Sequence, residues 1–122
     1  MKSSENRVES DAVAPGQYKT DHKKRLVETP TFRVTEFQAS AGQESPWHFH
    51  TQISDLFYVV DGRMEVLLAS PSELVELGSG QCYQVAAGRT HKFRVIGSEK
   101  VSYLLVQGVG EFDFIPVKVD EK

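Results

Sequence analysis

Beyond residue 25 the apolar positions recur with a period of two. Met64, Val66 and Leu68 alternate with Arg63 and Glu65, Phe93 and Val95 alternate with Lys92 and Arg94, and Phe32 and Val34 open a similar run through Ser40. Alternation of this kind places every second side chain on one face of a strand. Pro30, Gly42, Pro46, Gly62, Pro71, Gly78, Gly80, Gly88, Gly97, Gly108, Gly110 and Pro116 cut the chain into pieces too short for most stable helices. Strands are predicted over 31–40, 56–60, 63–68, 73–77, 81–85, 91–96, 101–107 and 112–119. Asp61-Gly62 lies between two of these runs, where a two-residue turn would fold them into a hairpin. The spacing is that of an all-β sandwich or barrel. There is no internal repeat.

The first residues do not share the pattern. Met1 to about Gln17 is polar, broken by Pro15-Gly16, and buries too little apolar surface to offset its ordering entropy. Residues 1–18 are therefore expected to form a flexible tail and residues 19–122 a single domain. Lys19 to Arg25, including His22, is expected to be a solvated lead-in to the first strand. At 122 residues, 39% of them hydrophobic, the chain holds enough apolar surface for one core and not two. The formal net charge is -3, and the first 25 residues hold six basic and four acidic groups, leaving eight against thirteen in the rest. Nucleic acid and anionic membrane surfaces are thereby disfavoured as partners. No stretch is long and apolar enough to span a bilayer as a helix. A single cysteine, Cys82, excludes an intramolecular disulfide and fits a reducing compartment; it is expected to be a small buried filler. With no apolar leader visible, a cytoplasmic location is expected.

The chemistry gathers around histidine. In Pro46-Trp-His48-Phe-His50 the two imidazoles project to one side of a strand and Trp47 and Phe49 to the other. On the next strand Asp55, Phe57 and Val59 share a face, so one carboxylate can enter the same interior. His91 opens a later strand, with Phe93 and Val95 on its face. Three imidazoles and a carboxylate suit one divalent transition metal, Fe, Mn, Ni, Zn or Cu, while a hydrogen-bonded core cluster is the simpler alternative.

Two stretches resemble the paired motifs of the cupin superfamily. The first is Gly, five residues, His-x-His, three or four residues, Glu, six residues, Gly, here Gly42-Gln-Glu-Ser-Pro-Trp-His48-Phe-His50-Thr-Gln-Ile-Ser-Asp55-Leu-Phe-Tyr-Val-Val-Asp-Gly62. The second is Gly, five residues, Pro-x-Gly, two residues, His, three residues, Asn, here Gly80-Gln-Cys-Tyr-Gln-Val-Ala86-Ala-Gly88-Arg-Thr-His91-Lys-Phe-Arg-Val95. The spacings agree throughout. The resemblance spans about Leu26 to Val119 and implies a double-stranded β-helix, or jelly-roll barrel, of two packed antiparallel sheets with a metal near the open end. It implies His48, His50 and His91 as ligands, with Asp55 in place of the family's Glu and one methylene shorter. Ala86 and Val95 stand where the family has Pro and Asn. Gln52 shares the parity of His48 and His50 and is the alternative fourth ligand.

Phe57, Tyr58, Met64, Phe93 and Tyr103 are expected in the core. Arg94 has the parity opposite to His91 and is expected to face solvent, whereas Arg89, in the turn, could anchor a substrate carboxylate at the barrel mouth. No nucleophile elbow, phosphate-binding glycine loop or CxxC pair is present. The expected function is a metal-binding single-domain cupin, either a dioxygenase- or isomerase-type enzyme acting on a small oxygen-bearing molecule or a non-catalytic binding or sensing module. The resemblance also suggests a homodimer, and the runs 31–40 and 112–119 are expected to place aromatic residues near open sheet edges, where pairing would cover unpaired backbone groups.

Overall fold

A computed structural model describes residues 20–120. The expected tail, residues 1–18, lies outside them. Ten strands follow in order: β1 His22–Glu28, β2 Phe32–Ala39, β3 His48–Phe49, β4 Ser54–Asp61, β5 Arg63–Leu68, β6 Glu73–Gly78, β7 Cys82–Val85, β8 His91–Val95, β9 Val101–Gly108 and β10 Ile115–Pro116. They form two five-stranded sheets, ordered β1-β2-β9-β4-β7 and β10-β3-β8-β5-β6, with every pairing antiparallel. No helix occurs among the described residues. The all-β, two-sheet architecture matches the expectation.

The alternation does what it predicts in β5 and β8, whereas in β2 the buried positions are Thr35, Phe37 and Ala39 and not Phe32 and Val34. From β4 the side chains of Phe57 and Val59 point inward, from β5 Met64, Val66 and Leu68, from β8 Phe93 and Val95, and from β9 Val101, Tyr103 and Leu105; all join one buried cluster with Phe37 and Val85. Phe37 stacks on Tyr103 with ring centroids 5.2 Å apart, and Phe93 meets Tyr103 edge-on at 5.5 Å. Burying each such side chain contributes about 1.5–3 kcal/mol against exposure. Tyr58 is the exception among the expected core aromatics, facing out of β4 opposite Cys82. Cys82 is likewise exposed rather than a buried filler, because the inward positions of β7 are Tyr83 and Val85, which pair with Phe57 and Asp55.

Three other expectations are corrected. The runs flanking Asp61-Gly62 do not form a hairpin: β4 belongs to one sheet and β5 to the other. Gly62 alone takes a positive φ, +102°, and a two-residue type I′ turn needs two such residues. The chain instead turns a corner between sheets, so tightly that a Cβ on Gly62 would lie 2.6 Å from the Lys100 carbonyl oxygen. The basic lead-in is partly a strand, since His22 to Arg25 pair with β2 as the first half of β1. That strand covers β2, which is therefore not an edge, whereas in the 112–119 run Ile115–Pro116 does form an edge, that of the second sheet.

Candidate metal centre

The register of the strands brings the histidines together. His48 in β3 pairs directly with His91 at the start of β8. His50 follows β3 by one residue, and Asp55 enters from the opposite sheet, where β4 places it between Val85 and Gln107. All four side chains are buried, and one ligand atom from each lies within 4.8 Å of the others.

Each imidazole is oriented from behind. His48 Nδ1 donates to the Pro46 carbonyl at 2.8 Å, His50 Nδ1 to that of Asp113 at 2.6 Å, and His91 Nδ1 to that of Arg89 at 2.8 Å. With Nδ1–H committed outward, the Nε2 lone pair of each ring is directed to the centre, the arrangement by which backbone carbonyls fix the tautomer of ligating histidines. Asp113 is itself anchored, its carboxylate accepting hydrogen bonds from the Thr51 backbone and hydroxyl. Those bonds hold its carboxyl below the usual range. Behind the carboxylate, Gln107 Nε2 donates to Asp55 Oδ1 at 2.8 Å, and Arg33 Nε donates to Gln107 Oε1 at 3.1 Å. Asp55 Oδ2 is thus left facing the rings, 3.0 Å from both His50 Nε2 and His91 Nε2.

The protonation balance favours a cation here. Each 3.0 Å contact to Asp55 Oδ2 requires something positive between nitrogen and oxygen, yet both rings have already given their neutral-form proton to a carbonyl. Either the rings take a second proton or a metal ion stands in for it. Burial, reinforced by the neighbouring His91, lowers the His48 pKa to about 4, so this ring is a neutral donor at physiological pH. Burial would also lower His50, but the hydrogen bond and charge of Asp55 outweigh it and raise the pKa. Burial would raise Asp55, and the hydrogen bonds from His50 and His91 hold it well below the carboxylate range. A permanent carboxylate beside convergent imidazoles fits a divalent ion with mixed nitrogen and oxygen preference.

The sequence profile of the Cupin domain family matches residues 35–107, from within β2 to the end of the inward-facing stretch of β9. The chain is a cupin. Its fold is that of solved double-stranded β-helix proteins. An uncharacterized conserved protein from Klebsiella pneumoniae with a double-stranded β-helix domain is 22% identical, with a TM-score of 0.69 over 93% of this chain and 99% of that one. The polyketide cyclase RemF of Streptomyces resistomycificus is 24% identical, with a TM-score of 0.73 over 95% of this chain and 87% of that one. KdgF from Halomonas sp. is 17% identical, with a TM-score of 0.64 over 78% and 87% of the two chains. No protein of curated function matches the sequence.

Of the residues expected at the cupin site, His48, His50, Asp55 and His91 are brought together and two are not. Gln52 is exposed, and its Oε1 accepts from the Glu111 backbone N–H at 3.3 Å, because the chain leaves β3 and bends away after His50. Arg89 donates from Nε to the Ala69 carbonyl at 3.1 Å and from Nη2 to that of Pro71 at 2.7 Å, so its guanidinium ties down the turn after β5 rather than facing the mouth. Its carbonyl, not its charge, serves the site, by holding His91. Arg94 is half-exposed as expected and donates to Glu65 at 2.8 Å. Gln107, Asp113 and Phe114 belong to the centre without having been singled out. Phe114 stacks on His48 with ring centroids 4.2 Å apart. For Gln107 a signal existed, since it is the one polar residue in the inward series Val101, Tyr103, Leu105, Gln107. The other two come from an irregular segment with no period to read.

Proposed function

We propose that this cupin holds one divalent first-row ion on His48 Nε2, His50 Nε2, His91 Nε2 and Asp55 Oδ2, and acts there on a small oxygen-bearing molecule. The observation that carries this reading is the convergence of three imidazoles whose Nδ1 atoms are all turned outward onto carbonyls. Such an ion would supply Lewis acidity or an O₂-reactive centre to a bound oxygen ligand. The chain's residues do the rest: Pro46, Asp113 and Arg89 carbonyls aim the rings, Gln107 keeps the carboxylate turned inward, and the surrounding core of Phe57, Phe93 and Tyr103 excludes water. That RemF is a polyketide cyclase supports a catalytic use of this barrel, although fold alone does not choose the reaction. Titrating chelator-treated, buffer-exchanged protein with Mn(II), Fe(II) or Zn(II) tests the site. One equivalent bound by the wild type and none by the His48→Ala, His50→Ala double variant is expected; equal uptake by both would refute it.

A second reading, a binding or sensing module that turns nothing over, is favoured by the cover on the site. Phe114 lies flat on His48 and all four candidate ligands are buried. Incubation of the metal-loaded protein with small acids and sugars, read by chromatography coupled to mass spectrometry, separates the two: a product of altered mass or, for an isomerase, of altered retention at the same mass supports the enzyme, and release of the unaltered compound supports the module.

The homodimer is proposed through a sheet face rather than an edge. On the outer side of the first sheet Val27, Val34, Val106 and Leu56 sit in one continuous cross-strand row, with Leu104 and Tyr58 in the next. The outer side of the second sheet is broken by the ion pairs of Glu65 with Arg94 and Lys92 with Glu44, beside Leu67 and Leu74. An apolar face of this kind packs on its own copy about a twofold axis. Light scattering should give twice the 13.7 kDa chain mass, falling to one chain in Val34→Glu, Val106→Glu; a monomeric wild type would overturn it.

A further inference from the structure

The basic residues near the start of the described chain stand beside the candidate metal centre. In the β1–β2 ladder Lys23 pairs with Phe37, Arg25 with Thr35 and, past a bulge at Leu26, Glu28 with Arg33. Directly paired residues share a face of the sheet, and Phe37 and Thr35 are buried on the inner one. Lys23, Arg25, Glu28 and Arg33 are therefore on the inner side of this sheet. Simple alternation from Arg25 would have turned Val27 inward. The bulge sends Val27 outward against Val34 and keeps the charged series inside, as bulges do where a side chain must be re-aimed.

This series reaches the centre through hydrogen bonds. Arg33 is also the ladder partner of Gln107, which it binds through Nε, and Gln107 in turn holds Asp55. The Arg33 guanidinium lies flat under the Phe112 ring, 3.8 Å from its centroid. Its two terminal nitrogens make no hydrogen bond among the described residues. Arg25 is less well served still: its Nε and Nη1 are buried and have no hydrogen-bond partner among the described residues. The nearest acid is Glu28, whose Oε2 stands 3.7 Å from Arg25 Nη1 on a side chain that is 63% exposed. Three cations thus share one mainly solvent-turned acid, with Asp55 acting on Arg33 from behind Gln107. Burial and the charges of Arg25 and Arg33 push the Lys23 ammonium down, and burial and Arg25 act likewise on Arg33. Buried guanidinium N–H groups left without an acceptor cost stability that a partner anion restores.

We infer that the inner face of the β1–β2 edge is an oxyanion subsite, in which Arg25 and Arg33, assisted by Lys23, bind the carboxylate or phosphate group of the molecule that the cupin takes. The guanidinium fork matches both groups through paired N–H donors. The subsite fixes the substrate class as anionic. It rests on the proposed function only in that the rest of the same molecule extends toward His48, His50, Asp55 and His91; the arginines and their unmet donors stand without it.

The test uses the full chain, freed of metal by chelator and buffer exchange, at low ionic strength. Inorganic phosphate and succinate are titrated separately while backbone amide resonances are followed by NMR. Saturable shifts confined to residues 22–37 and 107–112 are expected, with the tighter of the two probes naming the source of the anion. Arg25→Gln should weaken that binding at least tenfold, Arg25→Lys less, and Lys23→Gln about threefold, with the amide spectrum of each variant showing that the fold is intact. No saturable shift with either probe, shifts elsewhere on the molecule, or an unchanged dissociation constant in both Arg25→Gln and Lys23→Gln would overturn the inference. Metal uptake is measured on the same preparations. Anion binding without metal uptake sinks the metal reading and leaves the subsite standing, and metal uptake without anion binding does the reverse.

Discussion

The metal-free protein should weaken in mild acid because of one ring, His48. Its Nδ1–H is committed to the Pro46 carbonyl, Phe114 covers one face at 4.2 Å, and His91 lies 4.4 Å away between ring centroids. Burial first, and then that neighbouring imidazole, lower its pKa from 6.5 to about 4. A group whose pKa is lower folded than unfolded binds its proton more readily in the unfolded chain, so stability falls as pH drops from the unfolded value toward the folded one. At about 1.4 kcal/mol per pH unit, the gap of about 2.5 units gives a loss of about 3 kcal/mol between pH 7 and pH 4. The neighbours leave this window to His48. The raised His50 contributes stability that is complete below pH 6.5 and is lost only as pH rises through its elevated pKa, and the depressed Asp55 contributes stability lost only below the ordinary carboxylate range. Urea unfolding of chelator-treated wild type and His48→Gln at pH 7, 5.5 and 4, at constant ionic strength, measures it. The wild type should lose about 3 kcal/mol more than the variant. Parallel losses in the two proteins would show that His48 protonates freely and that its burial does not keep it a neutral donor.

Other expectations follow from single contacts. Gln107→Leu frees Asp55 Oδ1 from its 2.8 Å partner, and metal affinity measured by chelator competition should fall about 10- to 100-fold with the fold intact; unchanged affinity would show that the carboxylate needs no such support. Gly62→Ala drives a Cβ to 2.6 Å from the Lys100 carbonyl at a φ of +102°, and urea midpoints should report a loss of about 2 kcal/mol or more; a neutral result would mean the corner is not tight. Cys82, exposed on β7, should react with Ellman's reagent in the folded protein as fast as a free thiol; reaction only after denaturant would contradict its outward position.

The fold was legible where side chains obey a period. The two-residue repeat in Met64, Val66, Leu68 and in Val101, Tyr103, Leu105 determines which face is buried, and burial is what fixes a strand. Parity also placed His48, His50 and Asp55 inside, and it could have flagged Gln107. It does not say which strands pair. That is why Asp61-Gly62, with good hairpin chemistry on both sides, is a corner between sheets. Tyr58 and Cys82, expected inside, face outward because each has the parity opposite to its inward neighbours, Phe57 and Val59 in β4 and Tyr83 and Val85 in β7. His22 to Arg25 looked like a solvated run because charge density argues for water, yet an edge strand tolerates charge, and lysines there discourage edge-to-edge association. Arg89 was expected at the mouth from its nearness in sequence to His91. Two free carbonyls in the turn after β5 claim its guanidinium instead, and the cations on the inner side come from β1 and β2, more than fifty residues away in the chain.

Elemental analysis of the protein purified without chelators or a histidine tag, beside the His48→Ala, His50→Ala double variant, tests the central claim most directly. About one equivalent of a first-row divalent metal per chain in the wild type, and none in the variant, is the expected result for donors that converge within 4.8 Å. A wild type that carries no metal and takes none up on reconstitution would mean that the three imidazoles and Asp55 are a hydrogen-bonded core cluster, and the metal-binding reading would be wrong.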